Sequence, residues 1–144
     1  MTPSFTRAHD GAAGLALCFM VLSALSLLAG SCMGIWMGVA HDFVFAPVHA
    51  HLNLLGWASM ALFGLAYRAW PAMAEAPLAR MHLAVSGAGA FVLPLGIALA
   101  VAGAPPAVAI LGALLWTAGA ALFLGGLLRL VAAPAGSATT VPAE

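Results

Sequence analysis

Four apolar runs, at 14–37, 49–66, 82–101 and 107–131, contain no lysine, aspartate or glutamate and only one arginine, Arg129. Each approaches the ~20 residues that a helix needs to cross the hydrocarbon core of a bilayer. A helix that is apolar on every side has no face for water, so four of them in one short chain call for lipid as the solvent. Composition agrees: 65% of the residues are hydrophobic and 6% charged, and the mean hydropathy is +1.12. The expected fold is an all-α membrane protein, a bundle of four transmembrane helices forming a single domain over residues 1–131. Residues 132–144, with their PAGSATTVPAE sequence, are expected to be a disordered tail.

The connections suit turns. AHDFVFAPV carries Pro47, well placed to open a helix; YRAWPAMAEAPLAR holds two prolines; AGAPP is short. The opening MTPSFTRAHDGAAG reads as a polar lead-in rather than a cleaved signal. The arginines then orient the bundle, because cytoplasmic flanks retain Lys and Arg. Arg7 precedes the first run, Arg68 and Arg80 lie between the second and third, and Arg129 closes the fourth. With four crossings these regions share one side, so both termini are expected in the cytoplasm of a multi-pass protein of the bacterial inner membrane. Trp36 would anchor the outer interface, and Tyr67 with Trp70 the inner one.

Four basic and four acidic residues cancel, which leaves no basic patch for nucleic acid. Cys18 and Cys32 on one helix would be roughly 21 Å apart, too far to pair within a chain. Small residues in the last two runs, among them Ser86, Gly87, Gly89, Gly96, Gly112, Gly119, Gly125 and Gly126, suit close helix packing in lipid.

Ionisable side chains inside a membrane are costly and usually functional, so the five histidines carry the chemistry. His9 lies in the polar lead-in and His82 begins the third run, where capping or snorkelling accounts for it. His49 and His51 open the second run. Two residues apart on a helix means side chains roughly 200° apart, so one chelate is disfavoured and two opposed ligands are favoured. His49 aligns with Asn53, Gly56 and Met60; His51 aligns with Leu55, Ala58 and Leu62, an apolar wall that suits an axially ligated haem. The competing reading is that both rings bond to neighbouring helices or interfacial water. His41, beside Asp42, with Cys32, Met33 and Met37, supplies ligand types for Cu(I), although Met and Cys also fill apolar helices.

VHAHLNLLGWASMALFGLAYRAWP resembles the tenth helix of the catalytic subunit of haem-copper oxidases, above all the cbb3-type oxidases and the related nitric oxide reductases. That helix also carries His-x-His, followed by Gly-Trp, here Gly56 and Trp57, and an aromatic end closed by proline. ARMHLAVSGAG is similar to the opening of the eleventh helix at its histidine and a later glycine. The four runs would then correspond to helices nine to twelve. The resemblance implies that His49 matches the ligand of the high-spin haem, and His51 a ligand of the low-spin haem on the opposite face.

The chain departs from the family in lacking the helices that supply the second low-spin ligand and the copper histidines. The cross-linked histidine and tyrosine are also missing, and Tyr67 lies at the other end of its helix. The family's twelve helices form three similar arcs of four, so a symmetric homo-oligomer, a trimer above all, could complete the haem sites between subunits. The function expected is a membrane protein binding haem b, for electron transfer with a respiratory-chain partner or for binding a diatomic gas. Two alternatives remain open: a copper-binding or assembly factor, and a structural subunit of a respiratory complex. Oxidase or nitric oxide reductase turnover is less favoured, for want of a second metal and a charged proton path.

Overall fold

The computed structural model describes residues 3–74 and 77–133, with side chains from Gly11 onward. Among these residues the chain is helical, with no strand. The helices are α1 (Pro3–Ala40), α2 (Ala46–His51), α3 (Met60–Ala69), α4 (Pro77–Val101) and α5 (Ala107–Ala132). A π-helical stretch, Leu52–Ser59, joins α2 to α3, and a 3₁₀ turn, Pro71–Met73, follows α3. Three helical segments are long and apolar enough to cross a membrane: Gly11–Ala40, Pro77–Val101 and Ala107–Ala132. The backbone of the polar lead-in is already helical from Pro3, so the first helix is longer than its apolar run. Helix α5 includes Ala132, the first residue of the expected tail; residues 134–144 lie outside the described residues.

Packing rests on small residues, as it must where lipid tails are as apolar as the side chains they would replace. A Cβ added at Gly30 would meet Asn53, one at Gly56 would meet Ser26, and one at Gly64 would meet Ala16, Phe19 and Met20. Partner numbers rise as α1 numbers fall, so the α2–π–α3 run lies antiparallel to α1. In the same way Gly96 sits on Ala109, Gly112 on Leu93, Gly89 on Trp116 and Gly119 on Ser86, which makes α4 and α5 a close antiparallel pair. At these four glycines backbone meets backbone or the first atoms of a side chain, and no larger residue fits. Contacts at glycine also join the pairs: Gly87 approaches the side chain of Leu22, and Gly126 that of Met73.

The π stretch has a geometric consequence. Val48, Leu52, Gly56, Met60 and Gly64 are all buried, a strict four-residue repeat. In an α-helix each step of four overshoots a full turn by roughly 40°, so Gly64 would be carried well off the face shared with Val48. The wider i→i+5 turn removes that drift and keeps the whole run against its neighbours. Ser59 Oγ donates to Leu54 O at 2.9 Å, an i−5 bond that follows the wider turn. Across the interface, Ser23 Oγ donates to Trp57 O at 2.9 Å.

The C-terminal ends of α1 and α4 are each closed by a residue in the left-handed region. Gly103, at φ +92°, follows α4, and the Ala104 N–H donates to Leu99 O at 2.9 Å. His41, at φ +50°, follows α1, and the Asp42 N–H donates to Met37 O at 3.2 Å. These are the long closing bonds that satisfy orphan carbonyls at a helix C-terminus. Asp42 Oδ1 then accepts the Val44 N–H at 3.0 Å, turning the chain toward α2.

Candidate functional site

Pro47 in the first turn of α2 starts the helix without a wasted N–H, with His49 two residues on and His51 one turn further along. His49 Nδ1 lies 2.8 Å from Gly30 O on α1. A carbonyl oxygen has no proton to give, so Nδ1 carries the hydrogen and donates it. The Asn53 amide, 3.3 Å from that same nitrogen, therefore finds its acceptor in His49 O, at 2.9 Å. Gly34 makes room for the ring: a Cβ there would lie 2.8 Å from His49 Cε1.

His51 Nδ1 lies 2.7 Å from Pro47 O, one turn back on its own helix, and by the same reasoning it donates. Both rings are half-buried. The two are not brought together, as the spacing requires: His49 is held by α1, and His51 by the backbone of α2. In each, Nδ1–H is committed to a carbonyl and Nε2 is left as the lone-pair nitrogen. That is the arrangement by which proteins prepare a histidine to ligate a metal, since the donated bond fixes both tautomer and ring orientation. Asn53, Leu55 and Ala58 are half-buried, while Leu54 and Leu62 are exposed, as an apolar surface open to lipid or to another subunit.

The soft-metal residues do not converge. Cys32 is exposed and Met37 is 3% exposed, so they leave α1 on different sides. Met33 is half-buried, and His41 is exposed in the helix-closing position described above. Among the described residues no cluster of three or more His, Cys, Asp or Glu side chains forms. The side chain of His9 lies outside the described residues.

His82 departs from its expected role. Helix α4 begins at Pro77, so His82 falls in the second turn rather than at the start, and it is fully buried. Its Nδ1 lies 3.0 Å from Tyr67 Oη. Four aromatic rings surround the imidazole, with centroids at 4.7 Å (Phe63), 5.0 Å (Phe19), 5.5 Å (Phe123) and 5.7 Å (Tyr67). Tyr67 is 2% exposed, so it is a core residue and not the interfacial anchor its position suggested; Trp36 and Trp70 are both about half exposed. Among the described residues, His82 Nε2 and Ser86 Oγ are buried without a hydrogen-bond partner. Phe63 stands at 71° to the imidazole, a geometry in which a ring N–H meets a π face. The available signal was the four-residue spacing of His82 and Ser86, which puts both on one face of α4, toward Phe123 and Gly119 of α5.

No protein-family model, curated protein or solved structure matches this chain.

Proposed function

We propose that this chain is a membrane cytochrome b, holding haem b through the Nε2 atoms of His51 and His49 and serving electron transfer or the binding of a diatomic gas. The observation that supports it is the matched commitment of both Nδ1 atoms, at 2.8 and 2.7 Å, to backbone carbonyls. The residues fit a haem in a second respect, because His51 is half-buried in line with Leu55 and Ala58, both apolar and half-buried, with the exposed Leu54 and Leu62 on the same run. In this reading a second copy of the chain completes the pocket, and a closed ring of subunits, a trimer in the reading taken from the oxidase arcs, repeats it around an axis. When bound, the haem would supply one-electron chemistry at iron, tuned by the axial imidazoles. The protein's part is to fix those imidazoles and keep the pocket dry.

In this reading the α2–π–α3 run is a fourth crossing of a bacterial inner membrane, and the arginine-bearing end is cytoplasmic. The register supports a common end for the arginines: Arg68 closes α3, Arg80 opens α4, and Arg129 lies in the last turn of α5. The test is an optical spectrum of the full chain purified in mild detergent, oxidised and then reduced with and without carbon monoxide. A Soret band with low-spin features that vanish in His51→Ala is expected. Absence of a Soret band in protein purified from haem-replete cells, or an unchanged low-spin spectrum in His51→Ala, refutes the assignment.

A further inference from the structure

Three grooves at the arginine-bearing end share one design. The first, about 340 Å³ between α1 and α3, is lined by Ala13, Ala16, Met20, Gly64 and Leu65, with Arg68 as its only charged side chain. The second, about 420 Å³, runs from Gly14 and Cys18 of α1 to Leu83 of α4 and carries Arg80. The third, about 200 Å³, lies among the 3₁₀ turn, α4 and α5 and carries Arg129 beside Leu122 and Gly126. Each arginine with a described side chain therefore borders an apolar groove of its own, among residues otherwise uncharged.

Small residues line each groove: Ala13, Ala16 and Gly64 the first, Gly11 and Gly14 the second, and Gly126 the third. Gly11 and Gly14 have nothing within 4 Å of a would-be Cβ, so the second groove is open there. Leu17, 64% exposed, and Leu65, 55% exposed, flank the first groove on the surface that faces hydrocarbon. A recess of this kind takes an acyl chain. A guanidinium at its edge takes the phosphate above that chain, since its planar fork matches phosphate oxygens and is only weakly hydrated. Apolar lining and a single cation at one membrane level match the two halves of a phospholipid.

We infer that the three grooves are binding sites for anionic phospholipids of one leaflet, each seating an acyl chain in the recess and the phosphate on Arg68, Arg80 or Arg129. The inference is independent of the haem reading, because it concerns the opposite end of the helices from His49 and His51.

Native mass spectrometry of the full chain in mild detergent, titrated with phosphatidylglycerol and separately with phosphatidylcholine of the same chain length, tests it. The expected result is retention of up to three phosphatidylglycerol molecules per chain and weaker retention of phosphatidylcholine. Arg68→Gln, Arg80→Gln and Arg129→Gln each lose one bound lipid, and the Lys variants keep it. Ala13→Leu, which fills the first recess and leaves Arg68 in place, also loses one, which separates a seated lipid from simple surface attraction. Equal lipid numbers in the triple Gln variant and the parent, equal retention of the two lipids, or displacement of the lipid by inorganic phosphate would each overturn the inference.

Discussion

The contact between Gly34 and His49 makes a sharp prediction, because two helices meet there on a single missing methyl group. A Cβ at position 34 would lie 2.8 Å from His49 Cε1 and 3.3 Å from Nδ1. The first distance is closer than carbon atoms approach, so in Gly34→Ala the imidazole swings away and its 2.8 Å bond to Gly30 O is lost. A lost hydrogen bond costs about 0.5–1.5 kcal/mol, and interhelical hydrogen bonds inside membrane bundles fall in a similar range of about 0.6–2 kcal/mol. Against this, Gly→Ala in a compatible helix position gains about 0.4–1 kcal/mol.

Gly38, on the same helix with nothing within 4 Å of its would-be Cβ, measures that gain alone. Gly34→Ala should therefore fall about 1–2 kcal/mol below Gly38→Ala in stability. Removing the ring removes the clash, so the cycle of Gly34→Ala with His49→Ala should show a coupling of about 1–2 kcal/mol in favour of the double variant. Helical circular dichroism during reversible unfolding in mixed detergent micelles reads all four corners. Additivity within about 0.3 kcal/mol, or equal stability of Gly34→Ala and Gly38→Ala, would refute the placement of His49 against α1.

Gly96→Ala and Gly112→Ala push a methyl into the backbone of the facing helix, so each should cost about 1–3 kcal/mol; Gly125→Ala, which meets nothing, should be close to neutral in the same unfolding measurement. Tyr67→Phe strips the partner from His82 Nδ1 in a fully buried site and should cost about 1–3 kcal/mol, whereas Tyr67→Phe with His82→Leu should recover much of that loss, because no polar atom is then left unpaired at the position. A double variant as unstable as the single would show that the Tyr67–His82 bond is not what holds the cage.

Much of the candidate site could be read before the fold was known. The split of His49 from His51 follows from two residues of helical rotation, and the structure keeps them on separate partners. Spacing could not say which atom of each ring is engaged, since that depends on where the Gly30 and Pro47 carbonyls lie. His82 shows the opposite case. Read along the chain, it stands near a loop and close to arginine, and a surface role follows. Only the packing of α1, α3 and α5 around it, through Phe19, Phe63 and Phe123, turns it into the centre of an aromatic cage. Tyr67 was misread for the same reason: an amphipathic ring near a helix end suits an interface, but its hydroxyl found a buried imidazole first.

The sequence by itself determined the solvent and the elements: apolar runs of membrane length, broken at Pro47, at the pair of prolines after Trp70 and at the Gly103–Pro106 turn, admit few structures other than long helices in lipid, because backbone polar groups have no other partners there. Tertiary structure decided the rest, and the second run shows why. A helix drawn from its own residues would have the α-helical repeat, yet the buried positions from Val48 to Gly64 recur every four residues. That repeat suits the wider π turn, and along it Gly56 meets Ser26 and Gly64 meets Phe19 of α1. No residue within the run states it; the neighbouring helix does.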